Sequence, residues 1–322
     1  MAIGVFGEIV KGKLTKITLE ALTKAMCLKQ QMNIPIELIL IGEEEEFSSI
    51  DYENCGSDSV ILYKKSPTKD YITEECLATL VTYYEKYKPE IMIFTGGIRG
   101  IELAPRLAYR VNSKAMVDCT DIMYYKKSDE ICITKPIYGS NVYGEFIAEY
   151  PLIIALRPHQ YSIKIEKKTD ISVINESVQE LIETDWIMHK KLVQTTANEL
   201  EDAKILVVCG RGVGGKQGIK KAEVIASELG GVIGGTKKVI DNGWLPIDKM
   251  IGQTGKIVSP ELCIVIGASG ATPFINGIQT SKKIIAINKD EDARVFEYAD
   301  IGIIEDYNPI LSLIEEILKS RA

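Results

Sequence analysis

Apolar positions along this 322-residue chain gather into short runs, and the stretches between carry apolar residues at helical spacing. Ile3–Phe6, Ile36–Ile41, Val60–Tyr63 and Ile91–Thr95 are largely apolar and predict buried strands. Between them, Leu19, Leu22 and Met26 space a helix over Thr18–Met32, with Thr18 as the expected N-cap. A second helix is expected over Thr73–Tyr87, opened by Thr73, with Glu74 and Glu75 at the positive end of its dipole. Ile101–Val111 reads as a third. Strand and helix in alternation mean a mostly parallel sheet with helices on both faces.

Beyond Asn112 the runs shorten. Asp121–Tyr125, Ile131–Thr134, Phe146–Ile147, Ile153–Arg157 and Ser172–Ile174 predict an antiparallel or mixed extension of the first sheet. The polar stretch Glu176–Glu201 reads as a linker or surface helix. The strand–helix pattern then restarts: Ile205–Val208 is a strand, Gln217–Leu229 a helix closed by Gly230-Gly231. Val232–Gly235, Leu262–Ile266, Lys283–Asn288 and Ile301–Ile304 are further strands, and Pro309–Leu318 is an amphipathic helix. The expected fold is α/β, two doubly wound Rossmann-like domains spanning 1–199 and 200–322.

Composition narrows the function classes. A formal charge of −7 and pI near 5.2 argue against a nucleic-acid partner, which needs a basic face. No apolar run approaches the ~18 residues of a membrane span, so no membrane insertion is expected. Seven scattered cysteines lack metal or cluster spacing and read as reduced, buried residues of a cytoplasmic protein. Two histidines in no motif argue against a Ser-His-Asp hydrolase.

Glycine and polar residues recur where strands end, the place where open parallel sheets bind nucleotides. Gly96–Gly100 is best read as an ordinary strand-to-helix connection. Gly252-Gln253-Thr254-Gly255-Lys256 lacks P-loop spacing, and no Ser or Thr follows Lys256, which argues against an ATPase. A flavin dinucleotide asks for backbone N–H groups at its pyrophosphate, and Ser269-Gly270-Ala271 after a strand supplies them. Its adenosine end asks for an amide or carboxylate, for which Asn288 and Asp306 are candidates. Its ring asks for donors and a cation, which Gln253, Thr254 and Lys237 offer. A nicotinamide-dependent dehydrogenase is disfavoured, because the acid expected about twenty residues beyond a G-x-G-x-x-G turn is not found.

Taken in order, Gly210-Arg211-Gly212, Thr236-Lys237 with Asp241-x-Gly243-Trp244-x-Pro246, Gly252–Lys256, Ser269-Gly270-Ala271 and Ala286-Ile287-Asn288-Lys289-Asp290 resemble the alpha subunit of the electron-transfer flavoprotein family. The likeness is dense from Ala203 to about Leu318 and weaker through Thr95–Asp121 and Lys135–Asn141. It implies FAD as cofactor in the C-terminal domain and an N-terminal domain that contacts a beta subunit. It also implies electron transfer from an acyl-CoA dehydrogenase, or a similar flavoprotein dehydrogenase, to a downstream acceptor. The chain would then be an electron carrier, and membership of a bifurcating complex stays open. Residue by residue, it implies Arg211 and Thr236 on the cofactor, and Ile251, Gly252, Gln253 and Thr254 beside the ring. Ser269, Gly270, Ala271, Thr272, Pro273 and Phe274 follow the ribityl and pyrophosphate, and Asn288, Asp306 and Tyr307 the adenosine end. Two positions depart from the family: Lys237 stands for its usual arginine, and Thr272-Pro273-Phe274 for its usual Ile-Gln-His. The departures imply a flavin of lower potential or with a less stable anionic semiquinone than is usual for the family. They also support the alternative of a non-redox nucleotide-binding or regulatory protein on the same fold.

Overall fold

The computed structural model describes residues 1–10, 12–64, 72–177 and 199–321. Two compact units, Met1–Lys190 and Lys191–Ala322, divide the chain. Of the stretch Glu176–Glu201, read as a linker or surface helix, residues 178–198 lie outside the described residues; Glu176 and Ser177 close a strand, and Glu199–Glu201 open a helical turn.

In the first unit β1 (Ile3–Gly7) leads through a small ribbon, β2 (Ile9–Val10) and β3 (Lys13–Leu14), into α1 (Lys16–Met32). Then come β4 (Ile36–Gly42), α2 (Glu44–Ser48), β5 (Ser59–Lys64), α3 (Thr73–Tyr87), β6 (Ile91–Phe94), α4 (Ile98–Arg110) and β7 (Lys114–Cys119). β8 (Asp121–Tyr125), β9 (Glu130–Ile137), β10 (Val142–Ala148), β11 (Leu152–Leu156) and β12 (Ser172–Ser177) complete it. Seven strands form one sheet in the order β12-β5-β4-β1-β6-β11-β7, every neighbouring pair parallel. The expected antiparallel extension of that sheet is not formed. β8, β9 and β10 build a separate antiparallel sheet, while β7, β11 and β12 join the parallel one. The short runs alone could not tell these cases apart, because pairing is decided by contacts distant in sequence.

Helix starts also differ from the expectation. Thr15 caps α1, its Oγ1 accepting from the Thr18 amide at 3.3 Å, because the ribbon turns the chain into the helix early. Thr18 is fully buried and its hydroxyl accepts from the Glu8 amide at 2.9 Å, tying the helix to the end of β1. At α3 the capping position falls to Ile72, with no side-chain hydrogen bond, and Thr73 is already helical.

The second unit opens with α5 (Glu199–Asp202), β13 (Ile205–Cys209), α6 (Lys216–Glu228), β14 (Val232–Gly235) and α7 (Lys237–Asp241). β15 (Leu262–Ile266), α8 (Thr272–Ile275), β16 (Ile284–Asn288), β17 (Ile301–Ile304) and α9 (Tyr307–Arg321) follow. Its five strands run parallel in the order β14-β13-β15-β16-β17. β13 is buried on both faces, which explains its unbroken apolar run. Leu206 and Val208 point into one apolar layer, Val207 and Cys209 into the other with α6 and α9. Each such side chain contributes ~1.5–3 kcal/mol through burial, so the central strand is a rigid base for the loops at its end.

All seven cysteines are free thiols. Six are buried, and Cys27 is exposed, contrary to the expectation that all are buried. Burial pushes the Cys209 and Cys263 thiols up to about 12, so neither is a nucleophile at neutral pH. Among the described residues no helix is long and apolar enough to cross a membrane.

Candidate functional site

The order β14-β13-β15 sends the chain one way from β13 to β14 and the other way to β15. Loops leaving the C-terminal ends of β13 and β15 must therefore part, and a crevice opens between them. A cavity of about 670 Å³ lies there, lined by Arg211 and Gly212 after β13, Thr236 to Lys238 after β14, and Gly267 to Ala271 after β15. Ile251 to Thr254, Pro273, Phe274 and Asn288 to Asp290 complete its wall. The volume falls within the range of small-molecule and cofactor sites.

Three loops are interlocked to make this wall. A Cβ on Gly210 would overlap the backbone of Ala268, so the loop after β13 lies directly on the loop after β15. Asn288 Nδ2 donates to the Ala268 carbonyl at 2.9 Å, and its Oδ1 accepts from the Asp290 amide at 3.1 Å. The Gln253 amide donates to the Pro273 carbonyl at 2.7 Å, docking the segment after β14 onto α8. Gly252 (φ 137°) and Gly270 (φ 81°) take backbone angles that side chains disfavour, and at Gly270 a Cβ would also overlap the Val295 amide nitrogen.

The amides of Ser269, Gly270, Ala271 and Thr254 have no backbone acceptor among the described residues. Arg211, Lys237, Lys238 and Lys289 stand at the same cavity, with Asp290 as the single acid among the described residues. Four cations around one crevice in a chain of net charge −7 is a local reversal of sign. Free N–H groups and cations together suit a di-anion such as a pyrophosphate. The apolar walls given by Ile251 (2% exposed) and Phe274 (6% exposed) suit the flat ring of a flavin. The residues present therefore fit FAD.

Of the sixteen residues expected at the cofactor, thirteen line this cavity: Arg211, Thr236, Lys237, Ile251, Gly252, Gln253, Thr254, Ser269, Gly270, Ala271, Pro273, Phe274 and Asn288. Thr272, Asp306 and Tyr307 do not. The Thr272 hydroxyl accepts from Arg294 Nη1 at 2.8 Å. Asp306 follows the edge strand β17 and caps α9, its Oδ1 accepting from the Asn308 amide at 2.8 Å. The Tyr307 hydroxyl donates to the Val213 carbonyl at 2.9 Å, holding α9 against the loop after β13.

Six wall residues were not expected: Gly212, Lys238, Gly267, Ala268, Lys289 and Asp290. Gly212 did carry a signal, since Gly210, Gly212 and Gly215 have G-x-G-x-x-G spacing after β13. Gly210 and Gly212 are used for packing against Gly267 and Ala268, and β14 is followed by Thr236-Lys237 rather than an acid for a ribose. Lys238, Lys289 and Asp290 adjoin expected residues and come to the wall with them.

Elsewhere, Glu20 of α1 accepts backbone hydrogen bonds from His159, Gln160 and Tyr161, and desolvation pushes its carboxyl up to about 7. His159 Nδ1 lies 3.6 Å from that carboxylate.

The doubly wound second unit, with a cation-rimmed cavity at its topological switch, defines a dinucleotide-binding protein. Residues 199–279 match the model of the electron transfer flavoprotein FAD-binding domain, and residues 3–180 that of the electron transfer flavoprotein domain. The chain is 34% identical to the electron transfer flavoprotein subunit alpha of Thermoanaerobacterium thermosaccharolyticum, over 98% of each chain. It is 31% identical to the subunit of the same name in Bacillus subtilis, over 98% of this chain and 96% of that one. A third relative, 29% identical over 98% of this chain and 95% of its own, is the acryloyl-CoA reductase electron transfer subunit beta of Anaerotignum propionicum. The chain belongs to the electron transfer flavoprotein family, as an alpha-type subunit that carries the FAD-binding domain.

Proposed function

We propose that the cavity at the β13/β15 switch holds FAD, and that this subunit, paired with its beta subunit, carries electrons from an acyl-CoA dehydrogenase type flavoprotein to a downstream acceptor. The observation that carries the reading is the joint presence, at one crevice, of four cations and of backbone amides that have no backbone acceptor among the described residues. Bound there, FAD supplies reversible electron storage, and the chain's own residues orient and tune it. The amides of Ser269, Gly270 and Ala271, with Arg211, take the pyrophosphate. Gln253 and Thr254 present donors to the ring edge, and Lys237 offers a positive charge for a reduced ring. Asn288 keeps the loops after β15 and β16 together at the adenosine end. No general acid or base is required. The Anaerotignum relative is named as an electron transfer subunit of an acryloyl-CoA reductase, which is consistent with a redox partner that acts on a CoA thioester.

Co-expression with the beta subunit, followed by a visible spectrum, tests the cofactor reading: the pair is expected to be yellow, and a colourless pair overturns it. Mixing the yellow pair with acyl-CoA dehydrogenase and acyl-CoA is expected to bleach the flavin band. Bleaching only by another flavoprotein dehydrogenase removes the donor assignment and leaves the FAD assignment standing.

A further inference from the structure

The turn Ser269–Thr272 is braced from outside the cavity by Arg294, a residue to which no role has so far fallen. Arg294 opens the 3-10 segment Arg294–Tyr298. Its Nη1 donates to Thr272 Oγ1 at 2.8 Å and its Nη2 to the Tyr298 hydroxyl at 3.4 Å, while Nε lies 3.5 Å from the Glu297 carboxylate. Its backbone is engaged as well. A Cβ on Gly270 would lie 2.7 Å from the Arg294 carbonyl carbon and would overlap the Val295 nitrogen, so Arg294-Val295 is the floor beneath the left-handed Gly270. One residue thus supports the turn from below and grips its end from the side.

The brace reaches the flavin side of the cavity. Thr272 is bonded to Pro273, whose carbonyl accepts the Gln253 amide at 2.7 Å and lies 2.9 Å from where a Cβ on Gly252 would stand. Displacing Thr272 therefore moves both the amides meant for the pyrophosphate and the segment Gly252–Thr254. A surface arginine paired with Glu297 one turn on needs no partner on α8 (Thr272–Ile275). The hydrogen bond to Thr272 is what such a role leaves unexplained.

We propose that Arg294 is a positioning residue for the flavin dinucleotide, acting through Thr272 to pre-organise the amide-bearing turn and the ring-side segment. This rests on the reading that FAD occupies the cavity. Preorganisation raises affinity by lowering the ordering cost of binding, so loss of the brace weakens binding without removing any direct contact.

The test uses the complete pair with its beta subunit and four variants: Arg294→Ala, Thr272→Val, the two combined, and Arg294→Lys. FAD dissociation, the flavin absorption spectrum and midpoint potential, and the melting midpoint of the flavin-free pair are measured for each. Arg294→Ala and Thr272→Val are each expected to weaken FAD binding by roughly three- to tenfold and to shift spectrum and potential. The double variant is expected to be no weaker than Arg294→Ala, because both remove one interaction. Arg294→Lys, which keeps one donor for Thr272, is expected to recover part of the loss. Single variants that bind within twofold of the wild type, or an additive double variant, overturn the proposal. So does a lowered melting midpoint with spectrum and potential unchanged, which would make Arg294 structural alone. A wild-type pair that holds no FAD removes the underlying reading as well, whereas FAD held equally well by both single variants removes only this inference.

Discussion

At the scale of single residues, Phe274 and Lys237 decide how a flavin in this cavity behaves. Phe274 is 6% exposed, packed in the apolar layer with Ile251 and Ile275, and still reaches the cavity wall. It presents no hydrogen-bond donor to that wall. A positive or donating group near a reduced flavin stabilises the added charge, and its absence lowers the potential. Phe274→His is therefore expected to raise the midpoint potential by roughly 30 mV, equivalent to tenfold in a two-electron equilibrium. Spectroelectrochemical titration checks it, and an unchanged or lowered potential refutes the role given to Phe274. Lys237 keeps the charge of an arginine as a compact point, without the planar fork that fixes orientation.

Between elements, α1 (Lys16–Met32) meets the loop after β11 (Leu152–Leu156) through Glu20, through Thr23 Oγ1, which accepts from the Lys164 amide at 3.1 Å, and through Lys24 over the Tyr161 ring. Three backbone N–H groups, of His159, Gln160 and Tyr161, meet Glu20, yet burial outweighs them and the carboxyl titrates near neutrality, at about 7. The folded-state value lies above the ordinary 4.5, so the folded chain holds the proton more tightly than the unfolded chain. Stability from this group is complete below pH 4.5, falls as pH rises toward 7, and is level above. The loss spans up to about 3 kcal/mol. Glu20→Gln keeps an acceptor oxygen and cannot ionise, so its denaturation curves are expected to lose this fall between pH 4.5 and about 7. Chemical unfolding of both proteins across that range measures it; parallel curves would show that Glu20 does not titrate there. The element order was largely legible in the residues, because strands buried on both faces read as unbroken apolar runs. The pairing of β8, β9 and β10 into their own sheet was not, since the same short runs could equally extend the first sheet.

At the scale of the whole chain, both units have a topological switch, and only one carries the cavity described. In the first unit the switch lies between β1 (Ile3–Gly7) and β6 (Ile91–Phe94), where side chains of the chain itself meet at the strand ends. Thr95 Oγ1 donates to Glu8 Oε1 at 2.5 Å, Arg99 Nη1 lies 3.8 Å from the other oxygen, and Gly97 opens α4 beside them. A carboxylate of the chain itself sits where an anion would meet that strand end, and a Cβ on Gly96 would overlap the Leu156 carbonyl. The chain is therefore expected to account for one FAD. In a purified pair, Gly270→Val, whose side chain would overlap the Arg294-Val295 backbone and displace the amide-bearing turn, should lower the flavin count by one; an unchanged count would mean that the flavin is held elsewhere.

The residues alone were sufficient for the α/β class, for the strand-end glycines and for a family resemblance dense enough to name FAD, because local periodicity and short motifs survive without knowledge of pairing. Folding settled what depends on distance between loops. Arg211, Lys237 and Ser269 face one crevice because β14 and β15 leave β13 on opposite sides. Asp306 and Tyr307 stand apart because β17 is the far edge of the same sheet, where their side chains hold α9 in place. Strand order is a non-local property, and it divides residues that look alike in the sequence into those that reach the cavity and those that support it.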